Sequence, residues 1–231
     1  MQSEAILSSP ARCNICGGAG FETYRGRPGE RCIACGAKAR HRIALDVYER
    51  HLFPLAGADA RVLHFAPEAA LHPLIEARFG AGYVTADAEP ARYAHAMAMK
   101  LRIPHDLEIF PTGYFTAILH NHVLEHVPGH YGDHLTALLR LLRPGGLMIF
   151  SVPGPYMDRD TQEGGERLAS DAERLELFLQ EDHLKRFGRD FVDRLASLDG
   201  ARLIGDGVTD ARRAELGVRP AKSPFFILAR T

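Results

Sequence analysis

No stretch of this 231-residue sequence approaches about eighteen uninterrupted apolar residues, so it offers nothing long enough to cross a bilayer as a helix. The opening Met-Gln-Ser-Glu-Ala-Ile-Leu-Ser-Ser-Pro lacks both the basic start and the apolar run of a secretory signal. We therefore expect a cytoplasmic protein with no membrane partner. Charge of one sign is also missing. The formal net charge is −1, which excludes a global electrostatic drive toward nucleic acid or acidic lipid. There is no internal repeat and no low-complexity tract. With 46% hydrophobic and 25% charged residues, the chain has the composition of a globular protein rather than a disordered one.

Cysteine is scarce, and what there is falls in one pattern. Cys13-Asn-Ile-Cys16-Gly17 and Cys32-Ile-Ala-Cys35-Gly36 are separated by 15 residues, the spacing of a zinc ribbon. A CxxC turn points two sulfurs at one place, and the following glycine permits the tight backbone. Two such turns supply the four thiolates of a closed, structural tetrahedral site. Unrelated thiols or two disulfides are the competing reading, disfavoured because cytosolic thiols stay reduced. A metal would also explain how so short a segment folds without a large core.

We expect a flexible tail over residues 1–12, a zinc ribbon over 13–40 and a connecting helix over 41–56. Within Ala39 to Leu52, Ile43, Ala44, Val47, Tyr48 and Leu52 recur at helical spacing up to Pro54. Residues 57–231 then alternate strand-like apolar runs with helical stretches, the pattern of a parallel sheet covered on both faces. Strands are expected at 61–65, 83–86, 101–104 (a weak one), 115–119, 147–152, 202–204 and 225–229. Helices are expected at 134–142, halted by Arg143-Pro144-Gly145-Gly146, and at 190–198. Residues 153–187 break the alternation and read as an excursion over the sheet top.

Ligands of such a sheet settle at the carboxyl ends of its strands. The first strand ends in His64-Phe65-Ala66-Pro67-Glu68, the second in Asp87, the third region in Asp106-Leu107, and the fourth runs into Asn121-His122. An acid closing the second strand suits a vicinal diol, since a carboxylate accepts two hydrogen bonds. Asp106 could accept from an exocyclic amine while Leu107 covers the ring. Each acid alone reads equally well as a surface or capping residue; together, in strand order, they favour an adenosine pocket.

Those strand ends, with Phe115 to Pro128 (FTAILHNHVLEHVP) and Leu142-Arg143-Pro144-Gly145-Gly146, resemble a class I S-adenosylmethionine-dependent methyltransferase over about residues 60 to 153. The resemblance implies an α/β, Rossmann-like, seven-stranded doubly wound sheet whose last strand is antiparallel, with S-adenosylmethionine as methyl donor. It also implies that His64, Phe65, Ala66, Pro67, Glu68, Asp87, Asp106, Leu107, Asn121 and His122 surround the cofactor. One departure stands out. The family's first loop is glycine-rich, whereas this one has no glycine, and an alanine and a proline restrict it. Glu68 could then offer its carboxylate to the cofactor's α-ammonium group.

Methyl transfer from a sulfonium needs alignment and desolvation, and a base only if the acceptor must lose a proton. His122, Glu125 and His126 would share one face of a helical turn. Three readings stay open for them: hydrogen-bonded structural residues, a general base at His122 or His126, or ligands of a divalent metal, as the similar Glu-x-x-Glu-His of ubiquinone-pathway O-methyltransferases suggests. In the excursion, Tyr156, Arg159, His183 and Arg186 are candidate contacts to the acceptor.

The expected function is methyl transfer to an oxygen or nitrogen of a small molecule. The rivals are an RNA methyltransferase gripping RNA through the ribbon with Phe21, Tyr24 and Arg40-His41-Arg42, a non-methylating user of S-adenosylmethionine, and a non-catalytic zinc-ribbon scaffold.

Overall fold

The computed structural model describes residues 11–168, 170–219 and 224–231. The expected tail falls mostly on residues 1–10, outside the described residues. Arg12 is described, and its backbone N–H donates to the carbonyl of Glu215 at 3.1 Å.

Two knuckles of identical hydrogen bonding build the N-terminal module. The N–H of Gly17 donates to Cys13 O (2.7 Å) and that of Cys13 to Gly18 O (2.8 Å). Gly36 donates to Cys32 O (2.8 Å) and Cys32 to Ala37 O (2.9 Å). Gly17 and Gly36 adopt φ of 75° and 72°, a region that only glycine enters cheaply. Between the knuckles, β1 (Phe21–Tyr24) pairs antiparallel with β2 (Arg27–Cys32). Their two-residue turn, Arg25-Gly26, has positive φ at both positions, which matches the right-handed twist of the strands.

α1 (Ala39–Val47) runs on through a widened π turn at Tyr48–Leu52 into a short 3₁₀ turn at Phe53–Leu55 around Pro54, near where the apolar spacing expects it to stop. Arg42 on α1 is fully buried and spends all five of its N–H groups on carbonyls: those of Leu216, Glu30, Ala37, Gly29 and Gly217. Its guanidinium also lies 4.2 Å from the centre of the Phe21 ring. One side chain thus ties the hairpin to the body of the protein.

The central sheet comprises β3 (Val62–Phe65), β4 (Tyr83–Asp87), β5 (Met99–Lys100), β6 (Phe115–Asn121), β7 (Leu142–Ser151), β10 (Ala201–Ile204) and β11 (Phe226–Arg230). The spatial order is β10-β11-β7-β6-β3-β4-β5, with β11 antiparallel to both neighbours and the pairs from β7 to β5 parallel. This is the seven-stranded α/β sheet anticipated above. Alternate residues feed two cores. Leu63, Phe65, Ile118, Met148 and Phe150 pack under α3 (Tyr131–Leu141) and α5 (Phe191–Ala196). Val62, Ala117, Leu119 and Ile149 pack under α1 and α2 (His72–Phe79). Burial on both faces is why these strands read as continuous apolar runs.

The third strand is displaced from its expected place. β5 is Met99–Lys100, paired with Ala86 and Asp87, not 101–104. Leu101 and Ile103 have strand-like spacing and are buried, but Asp106 closes the chain behind them. Its backbone N–H donates to Arg102 O and its carboxylate accepts from Arg102 N, both at 2.9 Å, so a turn forms where the ladder would continue.

The excursion has its own small structure. β8 (Gln162–Glu163) pairs with β9 (Lys185–Arg186), and α4 (Asp171–Phe178) starts at a Ser170/Glu173 capping box. The excursion is pinned to the turn after β6. Leu184 N–H donates to Glu125 O at 2.7 Å, and Lys185 Nζ donates to Val127 O. A last short helix, α6 (Asp210–Glu215), precedes β11. Among the described residues no helix is long and apolar enough to cross a membrane.

Candidate functional site

Parallel strands end together, and a cleft of about 920 Å³ opens beyond the carboxyl ends of β3, β4 and β6, within the size range of small-ligand sites. Phe65 and Ala66 form one wall, Asp87, Glu89 and Tyr93 another, Leu101, Ile103 and His105 a third. His122, Val123 and His126 close the side toward β6.

The glycine-free loop solves its own problem. Ala66 takes φ of 52°, the left-handed turn a glycine would supply, held by its N–H to Ala86 O at 3.0 Å. Beyond it, Glu68 turns away from the cleft lining. Its carboxylate lies 3.2 Å from His64 Nε2 and accepts from Asn121 Nδ2 at 3.0 Å; Asn121 also donates to Tyr48 Oη at 2.7 Å, and His64 Nδ1 lies 2.7 Å from Tyr83 Oη. Burial alone would raise the Glu68 carboxyl. The hydrogen bond and charge of His64, with His41 and Arg40 nearby, overcome it and hold the group at about 2. Of the expected cofactor residues, then, His64, Glu68 and Asn121 form a buried network under the loop, and Pro67 is buried beside it.

Asp87 stays in the cleft. Its Oδ1 accepts from Glu89 N–H at 2.7 Å, and burial raises its carboxyl against the pull of that bond. Asp106 and Leu107 are placed elsewhere. Arg102 grips the Asp106 carboxylate with two parallel bonds (2.8 and 2.9 Å) and holds it at about 2, while Leu107 is 1% exposed in the core. Leu101, Ile103 and His105 occupy the wall that the Asp-Leu pair was expected to form. The alternating apolar residues that mimicked a strand were the available signal for them.

Glu125 and His126 lie in a 3₁₀ turn at Leu124–His126, while His122 precedes it, so the three do not share one helical turn as their spacing predicts, although all three lie close together. His122 adopts φ of 53°, and its Nδ1 lies 3.3 Å from Oε1 of Glu125, which is 1% exposed. His126 Nε2 is 4.0 Å from the same oxygen, and its Nδ1 is 3.0 Å from Asp182 O. The excursion adds His183, buried, with its ring 4.9 Å from that of His126. Glu125, His126 and His183 offer ligand atoms within 4.8 Å of one another. The remaining expected acceptor contacts lie outside the cleft: Arg186 is buried over the Tyr156 ring at 4.5 Å, and Arg159 pairs with Asp158 at 2.9 Å.

The four cysteines form the second cluster. Sγ–Sγ distances of 3.7 Å for Cys13–Cys35 and for Cys16–Cys32 are far from the ~2.05 Å of a disulfide. They match the edge, ~3.8 Å, of a tetrahedron with metal–sulfur bonds of ~2.3 Å.

A family profile described as "Methyltransferase domain" matches residues 29–204. The chain belongs to that methyltransferase-domain family. The matched span begins in β2 and ends with β10, so it takes in every wall of the cleft. Two solved structures share the fold of this methyltransferase domain. A SAM-dependent methyltransferase from Archaeoglobus fulgidus is 12% identical with a TM-score of 0.53, over 81% of this chain and 93% of that one. An S-adenosylmethionine-dependent methyltransferase from Mesorhizobium loti is 15% identical with a TM-score of 0.51, over 82% and 100%. No curated protein sequence matches the chain.

Proposed function

We propose that the protein transfers a methyl group from S-adenosylmethionine to an oxygen or nitrogen of a small acceptor, with a structural zinc in its ribbon. The observation that carries this reading is a half-buried acid, Asp87, at the end of the second parallel strand, opposite His122 across a cleft of cofactor size in a methyltransferase-family chain. Asp87 would accept from the ribose hydroxyls, because only its Oδ1 is engaged within the protein. The left-handed turn at Ala66 would bring backbone close to the methionine portion, while Leu101 and Ile103 supply apolar cover for the base. When bound, the cofactor supplies an electrophilic methyl group.

The chain's own part is alignment, exclusion of water and, for an acceptor that must lose a proton, a base. His122 fits that role, since the buried Glu125 carboxylate 3.3 Å from Nδ1 would favour a proton there and leave Nε2 to take the acceptor's. For zinc, the support is that the four sulfurs lie within 4.8 Å of one another, two of the pairs at 3.7 Å.

Calorimetric titration of S-adenosylhomocysteine into the zinc-replete protein tests the reading. Micromolar binding is expected, weakened about tenfold or more by Asp87→Ala through loss of hydrogen bonds to a charged acceptor. Absence of binding to the wild-type chain would overturn it and leave a scaffold.

A further inference from the structure

A second, smaller cavity of about 80 Å³ lies where the β1–β2 hairpin, the start of α1 and the segment after α6 meet. Its lining includes Arg27, Glu30, Arg40, His122, Gly217 and Arg219. Among the described residues His122 alone lines both this cavity and the large cleft. We propose that this cavity is an anion-binding acceptor subsite. It takes a carboxylate or phosphate carried by the small-molecule acceptor, whose reacting atom then lies at His122. The assignment rests on the methyltransferase reading above.

The charge balance of the cavity calls for an anion. Three arginines line it against one acid, Glu30, and none of Arg27, Arg40 and Arg219 has a carboxylate partner among the described residues. Arg40 is the most telling. Its Nε is buried without a hydrogen-bond partner, which costs free energy unless a ligand supplies the acceptor. Two residues along the same helix, Arg42 by contrast has every N–H satisfied by a carbonyl.

The planar fork of a guanidinium matches carboxylate and phosphate geometry, and three of them around a small space would fix one end of a molecule. The other end has, among the described residues, one neighbour shared with the cofactor cleft, His122, whose Nδ1 lies 3.3 Å from Glu125 Oε1. Tyr156, Arg159, His183 and Arg186 line neither cavity, so the acceptor enters from the ribbon side rather than from the excursion.

A strand of RNA fits this surface less well. Stacking platforms are needed for its bases. Phe21 is covered by Arg42, and the Tyr24 ring has Arg25, Arg31 and Lys38 within 5.7 Å.

The test uses the full, zinc-replete chain with inorganic phosphate and acetate as separate probes, followed by calorimetry or by chemical shifts of His122. The variants are Arg40→Gln and Arg219→Gln, with Arg202→Gln on β10 as control. S-adenosylhomocysteine affinity is measured on each. Binding of phosphate, acetate or both is expected, and the stronger probe identifies the anion. Arg40→Gln and Arg219→Gln should each weaken it about tenfold or more, with Arg202→Gln and the S-adenosylhomocysteine affinity unchanged. Failure of both probes, or binding indifferent to Arg40 and Arg219, overturns the subsite even if S-adenosylhomocysteine binds. Arg40-dependent binding of a short RNA that phosphate does not compete overturns it in favour of a nucleic-acid acceptor. Arg40-dependent phosphate or acetate binding without S-adenosylhomocysteine binding leaves the anion site standing and removes the methyltransferase reading instead.

Discussion

His122 Nδ1 lies 3.3 Å from Oε1 of Glu125, a carboxylate that is 1% exposed at the carboxyl end of the central strand. Both oxygens of Glu125 are buried without a hydrogen-bond partner among the described residues; a proton on Nδ1 of His122 would face the nearer one and leave Nε2 as the acceptor. Glu125→Gln keeps the shape but can present an N–H to Nδ1, which favours the other tautomer. Nitrogen-resolved NMR of His122 is expected to show Nδ1 protonated in the wild type and Nε2 protonated in the variant. Turnover of an acceptor should fall by about 10²-fold or more, with S-adenosylhomocysteine affinity kept. An unchanged tautomer would show that Glu125 does not orient the ring.

Glu68 sets part of the acid stability. Its folded carboxyl sits at about 2, below the ordinary value of 4.5, because His64 and the neighbouring cations outweigh burial. A depressed carboxyl contributes stability that is complete above the unfolded value and is lost as pH falls through the folded one. The window therefore runs from about 4.5 down to 2. Urea unfolding of the wild type should lose on the order of 3 kcal/mol across it from this group, while Glu68→Gln should show a flatter limb. Parallel limbs would contradict the depressed carboxyl.

Arg42→Lys should be far from conservative. A single ammonium cannot reach five carbonyls spread over the hairpin, Ala37 of the second knuckle and the Leu216–Gly217 segment. The expected loss is about 3 kcal/mol of unfolding free energy, with faster amide exchange in β1 and β2. A loss under about 1 kcal/mol would mean that the hairpin is held by other contacts.

Zinc removal should act on the ribbon first. A strong chelator is expected to release a single zinc per chain and to abolish amide protection at Gly17 and Gly36, whose bonds to Cys13 and Cys32 define the knuckles. Protection in β3, β6 and β7 should persist, since their cores contain no cysteine. Knuckle amides that stay protected in metal-free protein would refute a structural metal.

Local chemistry was legible in the sequence. The CxxC-Gly repeats wrote both knuckles, because each closes within five residues. Apolar runs marked six of the seven sheet strands, most plainly β3, β6 and β11, where burial on both faces leaves no polar alternation to confuse. The acid at Asp87 followed from the end of its strand, whereas His122 approaches Glu125 through a left-handed residue before the turn, not through helical pitch.

What only the tertiary structure decided is how residues of one type divide their work. Arg40 and Arg42 are equivalent in sequence, yet one is enclosed by carbonyls from the hairpin and the Leu216–Gly217 segment while the other faces a cavity. Glu68 reads as a ligand for the cofactor until Asn121 and Tyr83, from other strands, complete a buried network around it and His64. His122 lies between two cavities only because the β1–β2 hairpin, α1 and the Gly217–Arg219 segment wall the second one. Such partners lie far apart along the chain, and a side chain's charge and hydrogen bonds are settled by whatever packing brings to it, which no local pattern encodes.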